Sequence, residues 1–298
     1  MVIKKAIASL CLCVLCIVGC DGSESSKLTL SETDCENNWA ICMIFSEREI
    51  QIKKSDPVKI AVLDSGIKQD NPEIKKAVKK RYNAIEQNSV TKPVFPHGTM
   101  IASIITNTKI KNTKIGINGN VELYDVQVLD ERGHGKPADT VEGIQWSIEQ
   151  GVDIINLSLG FSKDDPHLKN AIEEAHSKGI IIVASTGNTL GMPTDYPAKY
   201  ENVLSISAID KRKKIFAYAG KGKVDLVAPG VDVPVVNAEG SIERQSGTSF
   251  ATAYATGVIS LLIQNELKNK NEIMLRAEKL GKESTYGKGL IIYKTGGD

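Results

Sequence analysis

Short apolar runs alternate with amphipathic stretches over most of the chain. Runs rich in Val, Ile and Leu predict buried strands, whereas apolar residues spaced three or four apart predict helices. We expect strands at 58–63, 121–129, 153–159, 180–184, 203–209 and 224–227, and helices at 138–150, 166–178 and 248–265, with a further helix beginning at His97. This alternation predicts an α/β fold in which a parallel sheet is covered by helices on both faces. A functional site would then lie at the carboxyl ends of the strands.

Residues 1–20 have the pattern of a bacterial export signal. Lys4 and Lys5 precede an apolar run at 6–18, which is too short to span a bilayer and has the length of a signal-peptide core. The run ends in Ile-Val-Gly-Cys at Cys20, which is similar to a lipobox, where the cysteine is acylated and becomes the new N-terminus. We therefore expect an exported lipoprotein on the outer face of the cell membrane. The alternative is an ordinary secretory signal and a secreted protein.

The cysteines agree with export, because all six lie at or before Cys42. Cys35 and Cys42 would remain after processing, either as a small disulfide loop outside the reducing cytosol or as free thiols. The polar, serine-rich stretch 21–31 predicts a tether. Within 32–57 several apolar residues predict packing, so we divide the chain into a signal (1–20), a tether with a short N-terminal or pro segment (21–57) and a catalytic domain (58–298).

The charge composition limits which classes of binding partner are expected. The 298 residues carry a formal net charge of +1, which argues against nucleic acid as a partner, since that would favour a clear basic excess. Lysine clusters occur at 75–81 and 211–214. We interpret them as a solvated helix face and a solvated turn, with weak attraction to an anionic membrane as the alternative.

Three motifs in a fixed order carry the candidate chemistry. AVLDSG contains Asp64, HGT begins with His97, and GTSFATA contains Ser249. Each motif alone is common in turns and at helix starts. A serine hydroxyl attacks a carbonyl usefully only when a base takes its proton and an anion holds that base in the correct tautomer. The three motifs together therefore predict a nucleophilic triad.

The order Asp, His, Ser is that of subtilisin, and the chain resembles the subtilisin-like serine proteases (subtilases) from about residue 58 to residue 290. The resemblance implies a three-layer fold with a mainly parallel central sheet flanked by helices. It implies that Ser249 is the nucleophile, His97 the general base and Asp64 the anion that orients it. Because His97 must be neutral to accept a proton, we expect activity to rise with pH through its pKa, at about 6 to 7. Asn188, in ASTGN, matches the family's side-chain donor to the oxyanion.

The resemblance also implies how substrate is held. Two backbone edges, Gly133-His134-Gly135 and Ser158-Leu159-Gly160, match those between which a subtilase holds an extended peptide. Asp195 aligns to the base of the pocket for the residue before the scissile bond. A carboxylate there would pair with Arg or Lys, as in the subtilases that remove lantibiotic leader peptides. The alternative is a surface-loop aspartate beside a proline.

Two departures from the family pattern matter. The segment after the His97 helix, where many subtilases bind calcium, contains Lys109, Lys111 and Lys114 and suits a hard cation badly. We therefore expect that calcium site to be missing, and no cofactor. The region before the catalytic domain is also shorter than the usual folding prodomain, so either the short segment replaces it or the enzyme folds without one.

These observations favour an extracytoplasmic serine endopeptidase that cleaves a secreted peptide or protein after Arg or Lys, for example a bacteriocin leader peptide. A broad-specificity degradative subtilase is the alternative among enzymes. An inactive subtilase-like binding or immunity lipoprotein is the alternative from another class. Arg48, Lys53 and Lys54 lie in a run that we expect to be flexible, where such an enzyme could also cut itself.

Overall fold

The computed structural model describes residues 25–53, 55–267 and 269–294. The predicted signal segment, with Cys20, lies outside the described residues. The strands are β1 (Ser25–Thr29), β2 (Glu49–Lys53), β3 (Val58–Asp64), β4 (Val78–Asn83), β5 (Lys109–Ile110), β6 (Thr113–Lys114), β7 (Val121–Gln127), β8 (Ile154–Leu157), β9 (Ile181–Ser185), β10 (Val203–Ile209), β11 (Leu226–Pro229), β12 (Val233–Val236), β13 (Ile242–Gln245), β14 (Ala277–Glu278) and β15 (Leu290–Ile291). The helices are α1 (Glu32–Asn37), α2 (Trp39–Ile44), α3 (Pro72–Ala77), α4 (His97–Ile105), α5 (Pro137–Glu149), α6 (Pro166–Ser177), α7 (Thr248–Gln264), α8 (Lys270–Leu275) and α9 (Glu283–Tyr286).

A mainly parallel sheet forms the centre of the molecule. Its strand order is β14-β15-β11-β10-β9-β8-β3-β7-β4, and in it the β14–β15 pair is antiparallel. From β3 the chain first adds β4 and β7 on one side and then β8 to β11 on the other. Ligands in such sheets bind at the carboxyl ends of the strands near this change of direction. The predicted α/β class with a parallel sheet flanked by helices is confirmed.

Helices cover both faces of the sheet. α4 and α7 pack on one face with a large apolar cluster that includes Ile101, Ile104 and Ile259. α5 and α6 pack on the other face around Ile144 and Ile172. Strands β8 to β10 are buried along their whole length, as continuous apolar runs predict for a sheet covered on both sides.

Local capping explains where several helices begin. Asp165 precedes α6, and its Oδ1 accepts hydrogen bonds from the backbone N–H groups of His167 and Leu168. Pro166 occupies the first turn of the helix, where its missing N–H has no cost. Asn71 and Pro72 begin α3 in the same way.

The N-terminal segment packs into the main apolar core of the molecule. Ile41, Ile44 and Ile50 are each at most 1% exposed and belong to the cluster that contains α4 and α7. β1 pairs with β2 in an antiparallel hairpin, so residues 25–29 of the predicted tether are ordered. The expectation of a flexible run here is wrong over residues 49–53, because these residues pair with β1. This pairing also argues against self-cleavage within β2.

A disulfide closes the segment between α1 and α2. It joins Cys35 to Cys42, whose Cα atoms are 5.4 Å apart. Of the two alternatives that the sequence left open, the structure therefore has the disulfide.

The basic cluster at 75–81 does not form the single helix face that was predicted from the sequence. Lys75 and Lys76 lie in the last turn of α3, but Lys79, Lys80 and Arg81 lie on β4, which is an edge strand of the sheet. These three side chains are exposed, and charged residues on an edge strand discourage pairing with another chain.

In the described part of the chain, no helix is both long enough and apolar enough to cross a bilayer.

Candidate active site

Asp64 is the last residue of β3 and is completely buried. The backbone N–H of Ser65 donates to its Oδ1 over 2.8 Å. The Ser65 hydroxyl in turn donates to the Phe95 carbonyl oxygen and accepts from the Gly98 N–H. This network joins the end of β3 to the start of α4, so the carboxylate is fixed where the helix begins.

His97 is the first residue of α4, and its ring contacts the Asp64 carboxylate. His97 Nδ1 lies 2.9 Å from both Asp64 Oδ1 and Asp64 Oδ2. Burial of the imidazole lowers its pKa, but the charge and hydrogen bond of Asp64 outweigh this, so the pKa of His97 lies above its ordinary value. The contact leaves the opposite nitrogen, Nε2, to exchange a proton with another group.

Ser249 lies in the first turn of α7, near the positive end of the helix dipole. Its hydroxyl donates to the Ser158 carbonyl oxygen over 3.0 Å, and the Ser158 hydroxyl donates to the Ser249 carbonyl oxygen over 3.2 Å. Ser158 and His97 line one cleft, and the ring of Phe250, the next residue after Ser249, lies 5.7 Å from the His97 ring. The structure therefore brings Asp64, His97 and Ser249 to one place.

Asn188 follows β9 and contacts the same helix start. Its Oδ1 accepts hydrogen bonds from the Thr248 backbone N–H (3.1 Å) and the Thr248 hydroxyl (3.2 Å). Since the oxygen is used in this way, the amide nitrogen remains as the outward donor. A methyl group at Gly247 would lie 3.2 Å from that nitrogen. The glycine therefore leaves room beside the amide for a reacting group.

The two predicted backbone edges both line the same cleft. Its lining consists of Phe95, His97, Leu129, Gly133, His134, Gly135, Ser158, Leu159, Gly160 and Phe161. Gly133 has a φ of +77°, and a methyl group there would lie 2.7 Å from the Phe95 ring. The glycine is therefore required both by the backbone conformation and by the close approach.

Asp195, which is expected from the sequence at the base of a pocket, lies beside Gly160 of the second edge. A methyl group added to Gly160 would lie 2.7 Å from Asp195 Cβ, and one added to Gly187 would collide with Asp195 Oδ2. Burial raises the pKa of the Asp195 carboxyl. Its side chain makes no hydrogen bond or ion pair with another residue among those that the structure describes. Two glycines thus leave space for a half-buried carboxylate that lacks a partner.

The loop after α4 offers a hard cation few of the side chains that it prefers. Residues 106–116 contain no Asp or Glu, and calcium prefers carboxylate and other oxygen ligands. Lys114 is 7% exposed, and its ammonium group donates to Asn107 Oδ1. Burial lowers the pKa of Lys114 to about 8. Elsewhere in the described ranges, no group of three or more His, Cys, Asp or Glu residues is arranged to hold a metal ion.

Sequence reasoning missed three residues around this site. Phe95 and Phe161 line the cleft, but a single aromatic residue in a loop gives no specific signal. Asp125 lies fully buried on β7, beside β3, and accepts a hydrogen bond from the Thr91 hydroxyl. Burial raises the pKa of Asp125 to about 7. An acid within the apolar run YDVQV was the signal that could have identified it.

Comparisons with known proteins cover most of the chain. A model described as the subtilase family matches residues 55–284. The chain is 34% identical over 251 residues to the minor extracellular protease Epr of Bacillus subtilis (strain 168), which covers 80% of this chain and 38% of that protein. It is 30% identical over 248 residues to subtilisin DY of Bacillus licheniformis, covering 80% of this chain and 90% of that protein. The thermophilic serine proteinase of Bacillus sp. (strain AK1) is 32% identical over 241 residues, which are 79% of this chain and 60% of that protein.

Proposed function

The chain belongs to the subtilase family of serine proteases, and on that premise we propose that it is an extracytoplasmic serine endopeptidase that cleaves a secreted peptide or protein after Arg or Lys. One observation carries the specificity: a half-buried carboxylate without a partner, that of Asp195, lies between Gly160 and Gly187 beside the cleft. A polypeptide substrate follows from the family. The basic residue, the precursor-peptide substrate and the membrane anchor are proposals.

In the proposed reaction, Ser249 Oγ attacks the carbonyl carbon of the scissile bond while His97 Nε2 takes its proton. Asp64 accepts from His97 Nδ1–H and stabilises the imidazolium without becoming protonated. The Asn188 amide nitrogen and the Ser249 backbone N–H donate to the oxyanion. His97 then gives its proton to the leaving amine, and water hydrolyses the acyl-enzyme by the reverse sequence of transfers.

The Ser249 hydroxyl must change its hydrogen-bond partner for this to begin. In the structure it donates to the Ser158 carbonyl oxygen. Rotation about the Cα–Cβ bond redirects it towards His97. Hydrogen bonds of catalytic groups are often made only in the substrate complex, so we expect a bound peptide to displace the contact with Ser158.

Asp195 would select the residue before the scissile bond. An Arg side chain brings two parallel N–H donors to a carboxylate, and Lys brings a point charge, so Arg is expected to be the better substrate. An apolar residue would leave the carboxylate desolvated and unpaired, which has a free-energy cost. A protease with this selectivity suits limited processing, such as removal of a bacteriocin leader peptide, better than general degradation.

The test compares matched peptides that differ only at the residue before the scissile bond: Arg, Lys, Leu or Phe. We expect kcat/KM to favour Arg over Leu by about 100-fold, and Asp195→Ser to remove that preference. Asp56→Ser is the control, because Asp56 is exposed and lies just before β3, at the opposite end of the strand from Asp64. Cleavage after Leu or Phe that is indifferent to Asp195 would instead indicate a degradative enzyme. An inactive binding protein would leave Ser249 unlabelled by a fluorophosphonate.

For localisation we propose a lipid anchor at Cys20, on the motif in the sequence. Cells that express the protein would incorporate labelled palmitate into the wild type and not into Cys20→Ala. The variant would also leave the membrane fraction. A wild type that is unlabelled and free in the medium would identify an ordinary secretory signal instead.

We also propose that the loop at 106–116 needs no calcium. The Lys114 ammonium group, held inside the loop on Asn107, supplies a positive charge there. A ligand that binds only the folded state raises the melting temperature. Addition of calcium or of EDTA is therefore expected to shift the melting temperature by less than about 1 °C. A rise of several degrees with calcium would contradict the proposal.

A further inference from the structure

Two lysines and one aspartate form a cluster behind the loop that carries Asp195. Lys223 Nζ lies 2.7 Å from Asp225 Oδ2, and Lys270 Nζ lies 3.3 Å from the same oxygen. The three side chains are only 16% to 23% exposed. We call Lys223, Asp225 and Lys270 the Lys-Asp-Lys cluster. Ion pairs that are partly shielded from solvent are screened less than fully exposed pairs.

The ammonium groups of the cluster also bind backbone carbonyls. Lys223 Nζ donates to the carbonyl oxygens of Ala198 (3.0 Å) and Val203 (2.8 Å). Lys270 Nζ donates to those of Glu201 (2.7 Å) and Val203 (3.0 Å). The turn at 198–203, which follows the Asp195 loop, is therefore held by two cations at three carbonyls.

The chain around Lys223 holds the other side of Asp195. The Thr194 backbone N–H donates to the Lys221 carbonyl oxygen over 2.9 Å, and the Thr194 hydroxyl donates to that of Lys223 over 3.1 Å. Thr194 and Ala198 are 4% and 0% exposed. The backbone of segment 221–223 thus binds Thr194, the residue before Asp195. The Lys223 side chain binds Ala198, three residues after Asp195.

Removal of Lys223 would affect two of these partners, whereas the Val203 carbonyl would keep its hydrogen bond from Lys270. The Ala198 carbonyl would lose the ammonium donor, and Asp225 would lose the nearer of its two cations. A buried acceptor without a donor has a substantial free-energy cost, which the local backbone can relieve by moving. Ala198 is three positions after Asp195, so we expect a shift of this turn to displace the Asp195 loop.

We propose that Lys223 is a positioning residue for substrate specificity: its ammonium group holds the turn after Asp195, and thereby keeps the Asp195 carboxylate at the base of the pocket. The inference rests on the proposed preference for a basic residue. It adds that this preference depends on a lysine that does not contact the substrate.

The experiment measures kcat and KM separately for the matched Arg and Leu peptides. Lys223→Met, which keeps much of the side-chain volume, is expected to raise KM for the Arg peptide about 10-fold, with kcat changed by less than about threefold. KM for the Leu peptide is expected to change by about twofold or less. In an Asp195→Ser background, Lys223→Met should change KM for both peptides equally, because Lys223 affects the preference for Arg only by positioning Asp195.

Lys213→Met is the matched control. Its side chain is 43% exposed and pairs with Glu278, away from the cleft, so both peptides should be cleaved as by the wild type. If Lys223 served only stability, kcat and KM would worsen equally for the two peptides and in both backgrounds, which would overturn the proposal. Should Lys223→Met fail to fold, Lys270→Met must raise KM in the same direction by a smaller factor. No change in that variant would also overturn the proposal.

A second measurement separates this proposal from the proposed function. If the wild type shows no preference for Arg, the function proposed for Asp195 is wrong, but the role of Lys223 in holding the loop is still measured by hydrogen exchange. The amides of Thr194, Asp195 and Lys199 are hydrogen-bonded in the structure. They should exchange at least about 10-fold faster in Lys223→Met than in Lys213→Met. Equal exchange would exclude the positioning role.

Discussion

Asp64 and Asp195 are both shielded acids beside the same cleft, and their surroundings differ. Asp64 contacts His97 Nδ1 with both oxygens and accepts from the Ser65 N–H. The Asp195 side chain has no hydrogen bond or ion pair with any residue of the described ranges, and two glycines leave space around it. The difference shows two uses of a buried charge. The first carboxylate is satisfied in advance and orients a base, while the second remains available for a cation from a ligand.

We expect the largest loss of activity when the Ser249 hydroxyl, whose general base is oriented by Asp64, is removed. Ser249→Ala removes the nucleophile and should lower kcat on the Arg peptide on the order of 10⁵-fold or more, with an unchanged melting temperature. Ser246→Ala, at an exposed serine three residues earlier, should keep kcat within about twofold. Substantial turnover by the Ser249 variant in a preparation free of other proteases would contradict the assignment of the nucleophile.

Asn188, like Asp64, is held in place by hydrogen bonds within the protein, because its oxygen accepts from Thr248. Asn188→Ala should lower kcat by about 10²- to 10³-fold with little change in KM, since the lost donor acts on the oxyanion of the transition state. Thr248→Val removes only the hydroxyl that orients the amide and should lower kcat by less than about 10-fold. A rise in KM without loss of kcat in Asn188→Ala would place this amide in ground-state binding instead.

Gly160 tests the open space around Asp195. A methyl group there would lie 2.7 Å from Asp195 Cβ, so Gly160→Ala should displace the carboxylate or shorten the pocket. We expect kcat/KM for the Arg peptide to fall about 10-fold, and that for a peptide with Ala in the same place to fall by less than about threefold. Equal losses on both peptides would mean that the second backbone edge, and not the pocket, had been disturbed.

The pH profile provides the smallest effect. His97 must be neutral to accept the Ser249 proton, so kcat/KM should rise with pH and be lost as pH falls through the His97 pKa. Because Asp64 raises that pKa, the midpoint should lie above the ordinary value of 6.5. A profile measured between about pH 5 and 9 decides this. A midpoint below the ordinary value would mean that burial outweighs the charge of Asp64.

Predictions from the sequence succeeded where the cause is local. The apolar run 203–209 forms β10 over the predicted residues, and the helix expected at 248–265 is α7, which ends at Gln264. Both are long, nearly continuous apolar runs, and their length and residue types distinguish a buried strand from a buried helix, so neighbouring residues are sufficient to predict them. The basic stretch at 79–81 failed, because lysine spacing alone does not distinguish an exposed helix from an exposed edge strand.

The sequence by itself determined the fold class, the three motifs and their order, since these depend on residue type and local pattern. Only the tertiary structure decided that Ile41 and Ile50 belong to the core, that Cys35 bonds Cys42, and that Lys223 binds the turn after Asp195. The physical reason is the same for each. A buried contact depends on which distant residues the sheet brings together, and short-range pattern carries no information about that.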